Sequence, residues 1–180
     1  MSIMDDKKLL ELTAKEPEKG FRYLMTQYKE EVYWHIRRLV VVHEDAQDAT
    51  QETFIRVFRS LSEFKGECSL RSWIYRIATN EALRLLGRYK EEQISLDDSS
   101  SELGRLIADD YVNYSDLEAV KLQKAILSLP TKQQLAFNLR YYNELGYEEI
   151  AGIIGSTTDG VKSSYHIAKD KIIKFMNENN

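Results

Sequence analysis

The stretch from Asp45 to Lys90, DAQDATQETFIRVFRSLSEFKGECSLRSWIYRIATNEALRLLGRYK, limits what this chain can fold into more than any other. In its first part Ala46, Ala49, Phe54, Val57, Phe58 and Leu61 fall at helical spacings, the pattern that lines apolar side chains along one stripe. Lys65-Gly66-Glu67 then forms a turn, and Ser69 is placed to cap a second helix. That helix carries its own stripe of Leu70, Trp73, Ile74, Ile77, Ala78 and Leu85. Two helices joined by a short polar loop follow from this pattern. With only two prolines in 180 residues, the rest of the chain is expected to continue as long helices with few breaks.

The faces left over carry charge. The first helix shows Asp45, Asp48, Gln51 and Glu52 in its opening turns, with Arg56 and Arg59 later, an order that suits the helix dipole whatever the helix does. The second helix holds Arg71, Arg76, Arg84, Arg88 and Lys90 against the single acid Glu81, a local charge of +4. Trp73, Tyr75, Tyr89 and Asn80 lie among those cations, and stacking on aromatics beside cations is how unpaired bases are held. Trp73 as an ordinary core residue fits the same composition.

The formal net charge of −4 conceals a partition. Residues 1–90 hold 16 cations and 14 acids, residues 91–120 one cation and nine acids, and residues 121–180 eight cations and six acids. Two mildly basic ends flank an acidic middle. One cysteine, Cys68, leaves no internal disulfide, and His35, His43 and His166 have no partner at metal-ligand spacing, so no metal, redox centre or cofactor is expected. The N-terminus MSIMDDKKLL is too polar for a signal peptide, and no apolar run approaches the roughly 18 residues needed to span a bilayer. A soluble cytoplasmic protein without membrane insertion is the expectation.

Upstream, Met4 to Lys15 and Glu18 to Val41 read as scaffold helices. Leu9, Leu10 and Leu12 are available for burial in the first; Phe21, Leu24, Met25, Tyr28, Val32, Ile36 and Leu39 repeat through the second. A helical domain over residues 1–90 results. Residues 91–116, EEQISLDDSSSELGRLIADDYVNYSD, read as an acidic linker holding a short turn at Leu103 to Ile107. Residues 117–180 resume helices: one to Leu129, stopped by Pro130, and another from Thr131, itself a possible cap, with Leu135, Ala136 and Leu139 inward. In GYEEIAGIIGSTTDGVK, Ala151, Gly155 and Val161 supply a small residue at a helix contact, a turn residue tolerant of positive φ, and an apolar anchor. Those are the requirements of a helix-turn-helix, and an ordinary helical hairpin fits the same spacing. Its second helix, about Asp159 to Met176, would offer Lys162, Ser163, Ser164, His166 and Lys169 to a DNA groove and turn Val161, Ile167, Ile172 and Phe175 inward. The fold class is all-α: two small helical domains joined by an acidic linker, the second a helix-turn-helix.

Two strings near the middle sharpen the reading. FKGECSLRSWIYRIATNEAL resembles the promoter-melting segment of bacterial RNA polymerase sigma factors of the extracytoplasmic function group, and DAQDATQETFIRVFRSL resembles the polymerase-binding helix that precedes it. The string LSLPTKQQLAFNLRYYNELGYEEIAGIIGSTTDGVKSSYHIAKDKI is similar to the domain of the same group that binds the −35 promoter element. The resemblance implies a transcription initiation factor that binds core RNA polymerase through Asp45, Asp48, Gln51, Glu52 and Phe54. It implies −10 recognition and melting around Lys65, Arg71, Trp73, Arg76 and Asn80, with Asn80 at a base edge and Arg71 and Arg76 on phosphates. It also implies −35 contacts from Lys162, Ser163, Ser164, His166 and Lys169, an anti-sigma factor as partner, and no catalysis or small-molecule substrate. The linker of such proteins lies in polymerase channels.

The chain departs from the group's pattern where Arg84 stands in place of a usual Asp, where Gly87-Arg88-Tyr89-Lys90 replaces a run of arginines, and where Asp159-Gly160, Ser164 and Ile167 replace commoner residues. Those changes alter phosphate and base contacts, so the promoter sequence does not follow from the resemblance. Two rival readings exist. A polymerase-independent helix-turn-helix repressor accounts for the C-terminal half alone. A helical hydrolase could use Asp45, Asp48 and Glu52 as metal ligands, since they share a face.

Overall fold

The computed structural model describes residues 3–40, 42–95 and 117–178. Helices α1 (Asp6–Lys15), α2 (Pro17–Leu39), α3 (His43–Ser60) and α4 (Leu70–Ser95) form an N-terminal group. Helices α5 (Leu117–Leu127), α6 (Thr131–Tyr141), α7 (Tyr147–Ile154) and α8 (Thr158–Glu178) form a C-terminal one. Most of the acidic linker, with its expected Leu103 to Ile107 turn, lies outside the described residues. Among the described residues no helix is long and apolar enough to cross a membrane.

The periodic residues meet where the pattern sends them. Leu9, Leu24, Val32, Ile36, Ala46, Val57, Leu70, Ile74 and Ala78 are fully buried in one cluster, each large aliphatic side chain contributing about 1.5–3 kcal/mol on leaving water. Phe58 is the exception: 49% exposed, it rests its ring edge on Phe21 at 4.9 Å. Ser69 caps α4 by accepting from the Ser72 backbone N–H at 3.1 Å. Asp6 of α1 adds a second cap, its Oδ2 accepting from the Leu70 N–H at 2.8 Å, so the first helix secures the start of the fourth. Thr131 does not cap α6; it is the first helical residue, after Pro130, where the fixed φ of proline makes the entry.

α1 can sit this close because α2 has no side chain at Gly20, where a Cβ would lie 2.5 Å from the Thr13 Cα. The obstruction is backbone, so Gly20→Ala must push the two helices apart. It is expected to cost about 2 kcal/mol, a fall in Tm of roughly 6 °C. A melting curve matching the parent protein would refute the tight crossing.

The two groups also pack on each other. Tyr75 of α4 is fully buried among Ala136, Leu139, Leu145 and Ile150, and Leu135 of α6 joins the N-terminal cluster. The sequence pattern did not foresee this, because a stripe shows that a face is buried and not which element buries it.

Candidate nucleic-acid and partner interfaces

Between α2 and α3 runs a groove of about 940 Å³. Asp48 and Gln51 stand exposed on its α3 wall. Phe54, expected at the partner surface, is only 2% exposed and forms part of the lining from within the core. Asp45 is turned toward α4, where the Tyr89 hydroxyl donates to its carboxylate. Glu52 pairs with Arg56 at 3.1 Å, and Arg56 also reaches the buried Glu81 at 2.6 Å. Arg84, on α4 itself, holds the other oxygen of Glu81 at 2.8 Å, so the departing residue shares the carboxylate that Arg56 of α3 reaches. Of the five α3 residues named for polymerase binding, Asp48 and Gln51 are therefore the ones whose polar heads face outward without such a pairing role among the described residues. The exposed face continues one and two turns on with Ile55 and Phe58, 39% and 49% exposed. The opposite wall comes from Arg22, Met25, Lys29 and Tyr33 of α2. Sequence reasoning assigned α2 to scaffold; its mixed polar and apolar spacing at three and four was the available signal.

A second cavity, about 550 Å³, lies beside the loop before α4 and the start of that helix. Phe64 and Trp73 line it with ring centroids 5.2 Å apart, and Lys65 and Arg76 contribute cations. Trp73 is half-buried, so it packs on the core with one side and faces the cavity with another. Asn80 is exposed a turn beyond Arg76 on the same stripe, outside the cavity lining. Arg71 points elsewhere: it forks onto Glu31 with N–O distances of 3.2 and 3.0 Å and lies 5.4 Å from the Tyr75 ring centroid. A 3.6-residue repeat puts Arg71 on a different face from Trp73 and Arg76.

The far wall of this cavity is α7, with Glu148, Glu149, Gly152 and Ile153. Ser72 donates its hydroxyl to Glu149 Oε1 at 3.1 Å, while the other oxygen of Glu149 accepts from the Gly146 N–H at 2.9 Å and closes the first turn of α7. Arg76 donates to the Gly152 carbonyl at 3.1 Å. Asn143 donates to the Tyr75 hydroxyl at 2.7 Å, and the Arg38 guanidinium lies over the Tyr142 ring at 4.1 Å. Burial pushes the Tyr75 phenol above its ordinary pKa, so it stays a neutral hydroxyl.

The helix-turn-helix geometry is complete. Ala151 and Val161 are buried, and Gly155 takes φ 66°, ψ 45°, the left-handed conformation that side-chain-bearing residues avoid. On α8, Lys162, Ser163, His166 and Lys169 are exposed and Ser164 is half-buried. Val161 and Ile172 are buried as expected, and Phe175 is half-buried. Ile167 corrects the sequence reading, being 46% exposed. The inward line runs through Val161, Ala168 and Ile172, and Ile167, one residue before Ala168, stands about 100° away from it. Among the described residues no cluster of three or more His, Cys, Asp or Glu could hold a metal ion. Asp45 and Glu52, two of the three ligands the hydrolase reading needs, are engaged by Tyr89 and Arg56.

Residues 24–92 match the model of sigma-70 region 2, and residues 119–172 that of sigma-70 region 4. The chain is 29% identical over 178 residues to an extracytoplasmic function RNA polymerase sigma-E factor of Haemophilus influenzae, with 94% of each chain covered. It is 28% identical over 179 residues to the RNA polymerase sigma-H factor of Pseudomonas aeruginosa, covering 94% of this chain and 92% of that one. In fold it is similar to the sigma factor RpoE solved with the anti-sigma factor NepR from Bartonella quintana. The TM-score there is 0.75 at 21% identity, over 90% of this chain and 99% of that one. CnrH, solved with the cytosolic domain of CnrY, gives a TM-score of 0.73 at 19% identity, over 97% and 99%. The fold and the two matched regions define a sigma-70-like transcription initiation factor. The chain belongs to the extracytoplasmic function group of RNA polymerase sigma factors, a family that is not an enzyme class.

Proposed function

We propose that the chain divides its work among the three surfaces: the α2–α3 groove docks core RNA polymerase, the Phe64–Trp73 cavity takes an unstacked base of the −10 element, and α8 reads the −35 duplex. The observation that carries this reading is the pairing, in one chain, of an aromatic cavity edged by Lys65 and Arg76 with a complete helix-turn-helix. Extruding a base costs a few kcal/mol, which stacking on the aromatic pair and a base-edge contact from Asn80 offset. Arg76 serves a phosphate; Arg71, tied to Glu31, positions α4 against α2 instead. The protein works in the cytoplasm and performs no catalysis of its own. Its regulator is an anti-sigma factor that covers these surfaces; the sigma factor RpoE of Bartonella quintana, similar to it in fold, is solved in complex with the anti-sigma factor NepR. The domains are residues 1–90 and 117–180, joined by the acidic linker.

The test is run-off transcription by purified core polymerase on a randomised promoter pool. Transcripts that depend on the protein and share two upstream elements support the reading; none, with tight duplex binding in the absence of polymerase, replaces it with the repressor. Lys162→Glu is expected to weaken −35 duplex binding about tenfold and lower its salt slope by about one. Unchanged affinity would reduce α7–α8 to a plain hairpin.

Use of the −10 cavity requires α7 to leave it, since Glu148 and Glu149 stand where an anionic strand would enter. Spin labels at Arg88→Cys and Lys169→Cys, in a Cys68→Ser background, are expected to report a shorter separation in the free protein than with core polymerase. An unchanged separation would count against opening.

A further inference from the structure

We propose that Ile167 is a specificity-determining residue of the −35 contact, reading the C5 methyl group of one thymine. This rests on the assignment of α8 as the helix that enters the major groove. Ile167 lies in the N-terminal half of α8, one turn after Ser163 and beside His166, both exposed. It is 46% exposed, although Val161, Ala168 and Ile172 on the same helix are taken into the cores. The chain's own packing therefore leaves a large aliphatic side chain in water at the position where a base-reading residue would stand.

The chemistry narrows what it can read. Base edges in the major groove offer nitrogen and oxygen acceptors, amino donors, and one apolar group, the thymine methyl. An isoleucine has no hydrogen-bonding capacity, so against a guanine, adenine or cytosine edge it removes water from a polar group and returns no partner. Against the thymine methyl both surfaces gain by leaving water. The β-branched side chain is stiff at χ1, so little freedom is lost when it is fixed against the methyl. Cations on the same helix, Lys162 before it and Lys174 after it, are exposed and suited to the flanking phosphates. Lys171 is held by Gln133 of α6 at 3.0 Å, which fixes the neighbouring turn of α8 to the preceding helix.

The experiment uses holoenzyme formed with core polymerase and the −35 element recovered from the randomised pool. Each thymine of that element is replaced in turn by deoxyuridine, which removes the methyl and nothing else. The native protein is expected to lose about fourfold in affinity at one position, the factor that ~0.8 kcal/mol for a methyl-sized group produces. Ile167→Ala, at an exposed helical site where alanine is favourable, is expected to bind thymine and deoxyuridine there equally well. An element at which no thymine is sensitive to its methyl overturns the inference, as does undiminished discrimination in Ile167→Ala; the helix-turn-helix reading stands in both cases. A pool that yields no −35 element overturns that reading and this inference together.

Discussion

Replacing Asp48 with Arg and Gln51 with Ala is expected to reduce affinity for core RNA polymerase at least tenfold while leaving Tm within about 2 °C of the parent protein. Both side chains are exposed on the α3 wall of the groove, and neither enters the core. The double change therefore alters recognition and little else. Its size follows from the charge reversal: a like-charge juxtaposition at a docked surface costs several kcal/mol, well beyond the few tenths of an ordinary surface substitution. Competition binding against a labelled sigma factor, with thermal melts in parallel, measures both quantities. Equal affinity would remove the groove as the polymerase site. A matched loss of Tm would instead make Asp48 structural.

Acid is expected to destabilise the fold through His35. The residue is fully buried on α2, its Nε2 2.8 Å from the Thr79 hydroxyl and its ring 5.0 Å from that of Tyr75. Burial, reinforced by Arg38, lowers its pKa to about 3. Between the ordinary value near 6.5 and that lowered value, the unfolded chain binds a proton that the folded chain refuses, so stability falls as pH falls through this window. At pH 5 the loss relative to neutral pH is about 2 kcal/mol, and it depends little on where the folded value lies below 4. Urea titrations at pH 7.5 and 5.0 measure it. His35→Phe keeps a ring against Tyr75 and has no proton to gain, so it should flatten the difference. The same loss in His35→Phe would assign acid sensitivity to other groups.

The sites were legible in the sequence to different degrees. Ala151, Gly155 and Val161 are local: a small contact residue, a left-handed turn and an anchor within eleven positions define the helix-turn-helix without reference to anything distant. The exposure of Asp48 and Gln51 was legible because the opposite stripe of α3 left them no place in the core. Asp45 and Glu52 share the polar face of α3 with them, and Arg71 stands in sequence among the free-looking cations of α4, yet Tyr89, Arg56 and Glu31 engage these three. A charge is seen in sequence; its partner is seen only once helices are side by side.

Helix positions, the inward stripes apart from Phe58 and Ile167, the cap at Ser69 and the all-α class were thus determined by the sequence, because a 3.6-residue repeat and a hydrogen-bonded cap act over a few residues. Tertiary structure alone decided that α2 supplies the second wall of the groove, that Ile167 is left in water, and that α7 covers the Phe64–Trp73 cavity. Each depends on which of several apolar or charged faces finds which neighbour. Burial is non-directional, so periodicity fixes the face that must leave water and is silent about what it meets.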